Sequence, residues 1–355
     1  MQCKKQFRNL PLNLITRAAA AAFAIAVVFA LTVVLAQPVQ AQTPTTSVGW
    51  TEKVIHNFGN YPDGLAPWAS LISDAAGNLY GTTQGGGSSG YGMVFELTPD
   101  GNGGGTEQML YSFSGNPDGA FPTAGLIFDA AGNLYSTTQY GGTYGGGTVF
   151  GLTPTVGGGW TEDVLHSFSF GGITDGSFPN AGLISDSAGN LYGTSYAGGT
   201  YGGGTLFELT PNGSGGWTEQ VLYSFNPNTM DGLAPWASLI FDTVGNLYGT
   251  TYAGGTYGSG TVFELTPTEG GGWTETVLHS FGNGADGVEP GFGSLIFDTA
   301  GNLYGTTVFG GTSNNCPSYE NPPSCGTVFE LTPAAGGGWT EQVPHSFNGT
   351  DGGNP

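Results

Sequence analysis

Histidine is the side chain that most often acts as a base near neutral pH, so the four histidines are the first candidates for chemistry. They occupy one position of a repeated segment, and tyrosine fills that position in the other two copies. The set consists of His56, His166, His279 and His345, with Tyr111 and Tyr223 in the remaining copies. One catalytic base is expected once in a chain, whereas alternation with tyrosine is typical of a packing residue with a polar tip. The pattern predicts no catalytic residue.

Carboxylates are the second candidates, and they are also repeated. Each copy holds Glu in a Trp-Thr-Glu segment (once without the Trp), Asp in an Asp-Gly-x-x-Pro segment, and Asp shortly before a Gly-Asn pair. Turn capping and a solvated acidic edge account for this pattern. Carboxylates also suit a divalent cation such as calcium, which would relieve charge repulsion, so calcium is kept as an alternative to no cofactor. The sequence has no EF-hand loop and no His/Cys spacing typical of zinc.

The charge balance excludes nucleic acid as a partner. The chain of 355 residues carries 26 Asp and Glu against five Lys and Arg. Four of the five basic residues precede residue 42, so the remainder has a formal charge of 1 − 26 = −25. Binding of nucleic acid needs clustered basic side chains that displace counterions.

Aromatic side chains offer a third kind of site. Tyrosine recurs in a Gly-rich loop of each of four copies, and tryptophan follows two of the Asp-Gly-x-x-Pro segments. These candidate ligand-binding residues are Trp68, Tyr91, Tyr144, Tyr201, Trp236 and Tyr257. Aromatic faces near carboxylates and amides can stack on sugars, although tyrosine in a Gly-rich turn is also an ordinary loop residue. The pattern predicts that these six residues share one rim of the fold, and carbohydrate binding on that rim is a hypothesis.

The N-terminus has the three regions of a secretory signal peptide. Residues 1–17 are basic, an apolar run extends from Ala18 to Ala36, and Val39-Gln-Ala41 supplies small residues for cleavage. We expect residues 1–41 to be a signal peptide, with an uncleaved anchor as the alternative. Residues 42–355 then form a secreted or cell-envelope protein without a further membrane segment. Because that compartment is oxidising, Cys316 and Cys325 are predicted to form a disulfide in an insertion unique to the fifth copy.

The remaining sequence is one unit written five times. Gly-Asn-Leu-Tyr starts at residues 77, 132, 189, 245 and 301, which gives a period of about 56 residues. In the fourth unit, β-branched and aromatic residues predict strands at 237–242, 247–251, 261–266 and 273–281. Between them lie Gly, Pro, Asn and Asp, which are typical of turns.

Four strands in such a unit match one blade of a β-propeller. The predicted fold is therefore all-β, a propeller of four-stranded antiparallel blades with five complete repeats and partial units at both ends. An open array of sheet units is the alternative. The Trp-Thr-Glu strand and the Asp-Gly-x-x-Pro loop each occur six times. A five-bladed ring would therefore leave one outer strand over, whereas a larger ring would leave the sixth unit incomplete.

The unit LIxDxxGNLYGTTxxGGxxxxGTVFELTP resembles the repeat of the choice-of-anchor tandem repeat GloVer-containing proteins. The fourth unit carries it in Leu239–Asp242, Gly245–Thr251 and Gly260–Pro267, and all five units match. The resemblance implies an exported, propeller-like repeat protein and no established activity. One hairpin of the unit is also similar to propellers of the NHL and gluconolactonase-like type.

Repetition without a unique polar cluster favours an exported, non-catalytic propeller that serves as a binding module or surface scaffold. Its predicted partner is carbohydrate or another surface protein. One alternative is a secreted hydrolase or lactonase with a metal in the central channel, which would need carboxylates converging on the axis. Another alternative is a structural array in an envelope or adhesive layer.

Overall fold

The computed structural model describes residues 53–59, 62–101, 104–312, 325–353 and 355. The chain divides into two units, Met1–Lys53 and Val54–Pro355. The predicted signal peptide and Cys316 lie outside the described residues, so the signal and the disulfide stay predictions. Cys325 is described and buried. Among the described residues there is no helix with the length and apolar character needed to cross a membrane.

The second unit is all-β, and its described residues form five antiparallel four-stranded meanders, which we number as blades 1 to 5. Blade 1 comprises β1 (Ile72–Ser73), β2 (Leu79–Thr83), β3 (Met93–Pro99) and β4 (Gly105–Ser112). Blade 2 comprises β6 (Ile127–Phe128), β7 (Leu134–Thr138), β9 (Gly145–Pro154) and β10 (Trp160–Ser169), after the short β5 (Gly119–Ala120) and with β8 (Tyr140–Gly141). Blade 3 comprises β12 (Ile184–Ser185), β13 (Leu191–Ser195), β15 (Thr205–Pro211) and β16 (Trp217–Ser224), with the short β11 (Gly176–Ser177) and β14 (Ala197–Gly198).

Blades 4 and 5 repeat the pattern. Blade 4 comprises β18 (Ile240–Phe241), β19 (Leu247–Gly254), β20 (Thr261–Pro267) and β21 (Trp273–Ser280), preceded by β17 (Gly232–Pro235). Blade 5 comprises β23 (Ile296–Phe297), β24 (Leu303–Thr307), β26 (Thr327–Pro333) and β27 (Trp339–Ser346), with β22 (Gly287–Val288) and β25 (Phe309–Gly310). The segments that lead into the first strands of all five blades line one central cavity. The molecule is a β-propeller.

The innermost strands are shorter than the sequence predicts. In blade 4 only Ile240 and Phe241 pair with the second strand, where a strand over 237–242 is expected. The second strand is longer than expected and continues to Gly254, because its end pairs with the Asp-Gly loop at β17. The backbone just before the first strand is therefore free of ladder bonds and lines the cavity instead.

The Asp-x-x-Gly-Asn turn joins the first and second strands, and its Asp side chain forms hydrogen bonds within the turn. In blade 4 the Asp242 carboxylate accepts hydrogen bonds from the backbone N–H groups of Val244 and Asn246, each at 2.9 Å, and from the Asn246 amide. Gly245 has a φ of 96°, a left-handed conformation that favours glycine. The same bonds recur in the other blades, so this carboxylate is committed to the turn.

The core lies between blades rather than inside them. In blades 1 to 4 a phenylalanine at the end of the fourth strand packs on a phenylalanine in the third strand of the next blade. The pairs are Phe113–Phe150, Phe168–Phe207, Phe225–Phe263 and Phe281–Phe329, with ring centroids 4.9–5.3 Å apart. All eight rings are buried. A blade buries its faces only against its neighbours, as the repeat predicts.

Blade 1 has a different neighbour on its outer edge. Residues 54–58, which resemble a fourth strand in sequence, lie against it and place Phe58 on Phe95 at 4.8 Å. Phe347 is the corresponding residue of blade 5, and it is half-buried. Blade 5 therefore does not take the place that residues 54–58 occupy.

Candidate functional site: the central cavity

A cavity of about 830 Å³ lies where the five blades converge. Each blade contributes the residues just after its Asp-Gly-x-x-Pro loop, and Gln84, Gln139 and Val308 are added from the ends of second strands. Cavities of this volume hold small-molecule ligands in many proteins. The central cavity is therefore the first candidate for a binding site.

The loop that leads into the cavity has an unusual backbone. The residue before the proline has a positive φ near 60° in every blade, although it is never glycine. These residues are Ala66, Phe121, Phe178, Ala234 and Glu289. In blade 2 the N–H of Phe121 donates to the Tyr91 carbonyl at 2.8 Å, and the Phe121 carbonyl accepts from Gln139 N–H at 3.1 Å. A strained conformation held from both sides fixes the direction of the segment that follows.

Bonds between blades also fix this segment. The Thr82 hydroxyl of blade 1 donates to the Ala124 carbonyl of blade 2 at 2.9 Å, and the Thr137 hydroxyl donates to Ala181 in blade 3 at 3.0 Å. The asparagine that follows Pro179 is positioned next to that last bond. At these two junctions a bond between neighbouring blades therefore holds the cavity wall in place.

The described lining is uncharged. It holds no Asp, Glu, Lys, Arg or His side chain and consists of amides, hydroxyls, small residues and aromatic rings, together with Val308 and Pro355. Asn180 is 5% exposed, and neither polar atom of its side chain has a hydrogen-bond partner. The Thr123 hydroxyl is also buried without a partner. Buried polar groups normally find partners, so these atoms are available to a ligand or to water.

Aromatic rings stand at the cavity. Trp68 is 73% exposed and donates its indole N–H to the Gln84 side chain at 3.1 Å. Trp236 is half-buried, and its ring lies 5.1 Å from both Tyr196 and Phe292. Phe292 is itself 53% exposed. Exposed aromatic faces beside amides suit a ligand that has both an apolar face and hydroxyl groups.

The structure separates the six aromatic residues that the sequence groups together. Trp68 and Trp236 line the central cavity. Tyr91, Tyr144, Tyr201 and Tyr257, the rim tyrosines, are exposed and do not line it. Tyr91 packs its ring on Phe121, and Tyr257 lines a second groove at the outer edge of blades 4 and 5. The predicted carbohydrate role of all six residues stays a prediction.

The other lining residues were not predicted from the sequence, although the repeat carries a signal for them. The residue after the loop proline differs between units, with Trp68, Thr123, Asn180, Trp236 and Gly291 at that position. The end of the second strand also varies, whereas the strands around it are nearly identical. Variation at two positions of a strict repeat marks residues that the fold itself does not require.

The outer edge of the propeller holds the repeated titratable residues. At each junction the His or Tyr of a fourth strand meets the Asp of the next Asp-Gly loop, and the Glu of the next fourth strand lies beside them. We call these three residues an outer triad. The His279 ring nitrogen lies 3.0 Å from Asp286, and Tyr223 donates to Asp231 at 2.9 Å in the preceding triad. These contacts support the structural interpretation of the histidines.

Burial raises the pKa of the triad glutamates. For Glu162, Glu219 and Glu275 the pKa rises to about 7, mainly because the carboxyl is desolvated and secondarily because an Asp lies nearby. Desolvation by burial also raises the pKa of the other two glutamates, Glu107 and Glu341. Each of these five glutamates has one buried oxygen without a hydrogen-bond partner. For Glu162, Glu219 and Glu275 the physical consequence is partial protonation near neutral pH.

One outer triad has the geometry of a metal site. In His279, Asp286 and Glu341, one potential ligand atom from each residue lies within 4.8 Å of the others. An imidazole in the set suits zinc better than calcium, which prefers oxygen ligands only. Because tyrosine replaces the histidine in two other triads, the arrangement reads first as a hydrogen-bonded contact between blades. Calcium stays an untested alternative to the prediction of no cofactor.

The fold and cavity thus define a β-propeller with an axial cavity whose described lining residues are uncharged. The family model of the Gloeobacter/Verrucomicrobia repeat matches residues 42–226 and 158–355. The chain therefore belongs to the family of proteins that carry this repeat, in agreement with the sequence resemblance. No curated protein matches the chain.

Several solved structures are similar to the chain. A candidate 6-phosphogluconolactonase from Bacteroides uniformis is 14% identical, with 80% of this chain and 71% of that chain covered and a TM-score of 0.49. A candidate oxidoreductase (glucose dehydrogenase) from Thermus thermophilus is 16% identical, with 81% and 86% covered and a TM-score of 0.43. An exo-1,5-α-L-arabinanase from a bovine ruminal metagenomic library is 11% identical, with 82% and 100% covered and a TM-score of 0.40. Similarity at this level carries no argument about activity.

Proposed function

We propose that this propeller is an exported, non-catalytic binding protein that holds a neutral saccharide in its central cavity. Asn180 carries the proposal, because both of its side-chain polar atoms are buried in the cavity wall and lack partners. A sugar hydroxyl can donate to one of these atoms and accept from the other.

The remaining lining supports the same ligand class. Trp68, Trp236 and Phe292 offer ring faces, and Gln84 and Gln139 offer further amides. An anionic ligand would find no cationic side chain in the described lining, and a cationic ligand would find no carboxylate there. A neutral ligand with several hydroxyl groups fits this composition.

The alternative of a hydrolase or lactonase with an axial metal receives less support. Such an enzyme would bring carboxylates from several blades to the axis, because hard cations bind oxygen ligands. In the described residues the repeated carboxylates lie in turns and outer triads instead. The donor set of the cavity wall therefore suits recognition better than metal-assisted hydrolysis. Export follows from the predicted signal peptide of residues 1–41 and is part of the proposal.

A glycan array followed by titration calorimetry tests the proposal. The protein without residues 1–41 is expected to bind at least one neutral saccharide with a stoichiometry of one. Asn180→Ala should weaken that binding about three- to tenfold, which corresponds to a neutral hydrogen bond or two. Tyr144→Ala is the matched control, because Tyr144 is exposed on the rim outside the cavity.

The outcomes separate the two regions. Unchanged affinity in Asn180→Ala together with loss in Tyr144→Ala would transfer the site to the rim tyrosines. Absence of binding to every neutral saccharide on the array would overturn the proposed function.

A further inference from the structure

We propose that the gap between blade 5 and blade 1 is a docking site for one further unit of the same repeat, with three strands that complete a sixth blade. We call this gap the open seam. One side consists of Leu71 and Leu79 of blade 1, and the other of Ile296, Tyr304, Val328 and Phe347 of blade 5. The inference does not depend on what the central cavity binds.

On the blade 1 side of the open seam, residues that are buried between blades at the other junctions are exposed. Leu71 is 44% exposed, whereas its counterparts Leu126, Leu183, Leu239 and Leu295 in the other blades are 1–2% exposed. Leu79 is half-buried where the equivalent leucines of blades 2 to 5 are buried. These counterparts are buried by the preceding blade. The inner half of blade 1 therefore presents the surface that a preceding blade covers elsewhere.

On the blade 5 side, too, side chains are more exposed than at the closed junctions. Val328 is partly exposed, but the corresponding residues of blades 1 to 4 (Val94, Val149, Leu206 and Val262) are fully buried. Phe347 is partly exposed where the four equivalent phenylalanines are buried. Ile296 is 64% exposed. Blade 5 thus presents, without cover, the side chains that contact a following blade at the closed junctions.

Both edges already hold pieces of a sixth unit, and these pieces identify the occupant. On blade 1, residues 54–58 have the sequence and the contacts of a preceding fourth strand, although they form no strand pairing: Phe58 packs on Phe95 and His56 lies 3.5 Å from Asp63. On blade 5, His345 lies 3.2 Å from Asp351, which opens a further Asp-Gly loop.

Pro355 packs against blade 5 in the same way as the equivalent loop prolines pack against their preceding blades. A side chain added at Gly326 would meet the Pro355 ring, as one at Gly260 would meet Pro290 and one at Gly204 would meet Pro235. The first loop and the fourth strand of a blade are therefore in place on opposite sides of the gap. Strands one to three are what the repeat would add between them, so the fitting partner is a segment with the LIxDxxGNLY and GTVFELTP pattern rather than an unrelated surface.

A fusion of a sixth set of strands tests the proposal. The sequence of residues 236–272, which supplies strands one to three of blade 4, is appended directly after Pro355 of the full chain without residues 1–41. Leu71→Cys reports on the seam through its rate of modification by a maleimide. The appended strands are expected to slow that rate at least tenfold and to raise the Tm by about 5–10 °C, because new apolar surface is buried.

A matched fusion controls for the added length. It carries Asp in place of the leucines and phenylalanine that correspond to Leu239, Leu247 and Phe263, so that it cannot form the interfaces. This fusion should leave both the labelling rate and the Tm of the unfused chain unchanged.

Three results would overturn the proposal. The first is equal labelling of Leu71→Cys in the matched and the intact fusions. The second is an intact fusion whose Tm does not rise. The third is an unfused chain that is dimeric by light scattering and already protected at Leu71→Cys, since a second copy would then be the occupant.

Discussion

The outer triads and the central cavity differ in how constant their residues are from one repeat unit to the next. The triads keep nearly the same residues at every junction, and a His or Tyr lies against an Asp, as His279 and Asp286 do at 3.0 Å, although one oxygen of each triad glutamate has no partner. The cavity residues differ from blade to blade, and polar atoms of Asn180 and Thr123 meet nothing. In a protein made of copies, the repeated positions hold the blades together, and the varied positions are free to form a specific site.

The largest expected effect comes from a repeated core position. Phe168→Ala should lower the free energy of unfolding by about 3–5 kcal/mol, since the ring is fully buried against Phe207. Phe347→Ala, at the same repeat position but half-buried, should cost less than about half as much. Chemical denaturation measures both. Equal losses would mean that the open seam is closed in solution.

The next effect distinguishes function from stability. Trp236→Ala is expected to weaken saccharide binding about tenfold or more, because the ring lies at the cavity beside Phe292. Calorimetry measures the affinity, and a thermal melt shows whether the fold is intact. Trp217→Ala, in the fourth strand of blade 3, is the control and should leave affinity unchanged. Equal affinity of Trp236→Ala and the parent protein would contradict the cavity site.

The pH dependence of stability tests the outer triads. A glutamate whose folded pKa is about 7 and whose ordinary pKa is 4.5 stabilises the fold fully below pH 4.5, and that contribution is lost as the pH rises through 7. The Tm should therefore fall between pH 5 and pH 8. Each partly exposed glutamate is expected to contribute about 1 kcal/mol after solvent screening.

The double variant Glu219→Gln/Glu275→Gln separates this effect from general charge repulsion. It should reduce the fall in Tm, because glutamine does not ionise. Repulsion among the other carboxylates would persist in the variant. An identical pH profile in parent and variant would show that these two glutamates are ionised in the fold.

At acid pH the turn carboxylates matter instead. Asp298 has a lowered pKa because of hydrogen bonds in its turn, so its contribution to stability is lost as the pH falls below about 3.8.

The smallest effect is expected at a single triad. His279→Tyr should change the free energy of unfolding by less than about 0.5 kcal/mol, because Tyr223 makes the equivalent bond to Asp231. His279→Ala should cost about 1 kcal/mol or more, since the buried Asp286 would lose a partner. Denaturation of both variants compares them. A large loss in His279→Tyr would point to a role for the imidazole beyond that bond.

The sequence was sufficient for the architecture because the period, the turn residues and the apolar strands all repeat. Gly245 and Asp242 predict the turn that the structure shows, since their conformational and bonding preferences are local. The two-residue first strand was not predictable from the apolar run at 237–242. Its length depends on how neighbouring blades direct the backbone toward the axis, which is a tertiary effect.

The site was predicted in part. Trp68 and Trp236 were identified as aromatic residues near a loop, and the structure brings both to the cavity. Asn180 and Gln139 were missed because the prediction followed residues that recur in most units, whereas the signal for these two is variation at otherwise regular positions. The rim tyrosines were grouped with the tryptophans because their loops open on one side, but the distance of a loop from the axis is set by blade packing and not by spacing in the chain.

A crystal structure of the protein with the saccharide that calorimetry selects would show which region of the propeller binds it. We expect density for one sugar in the central cavity, with a ring face on Trp236 and a hydroxyl within hydrogen-bond distance of the Asn180 amide. Density on the rim tyrosines or in the groove beside His279, with an empty cavity, would contradict this expectation.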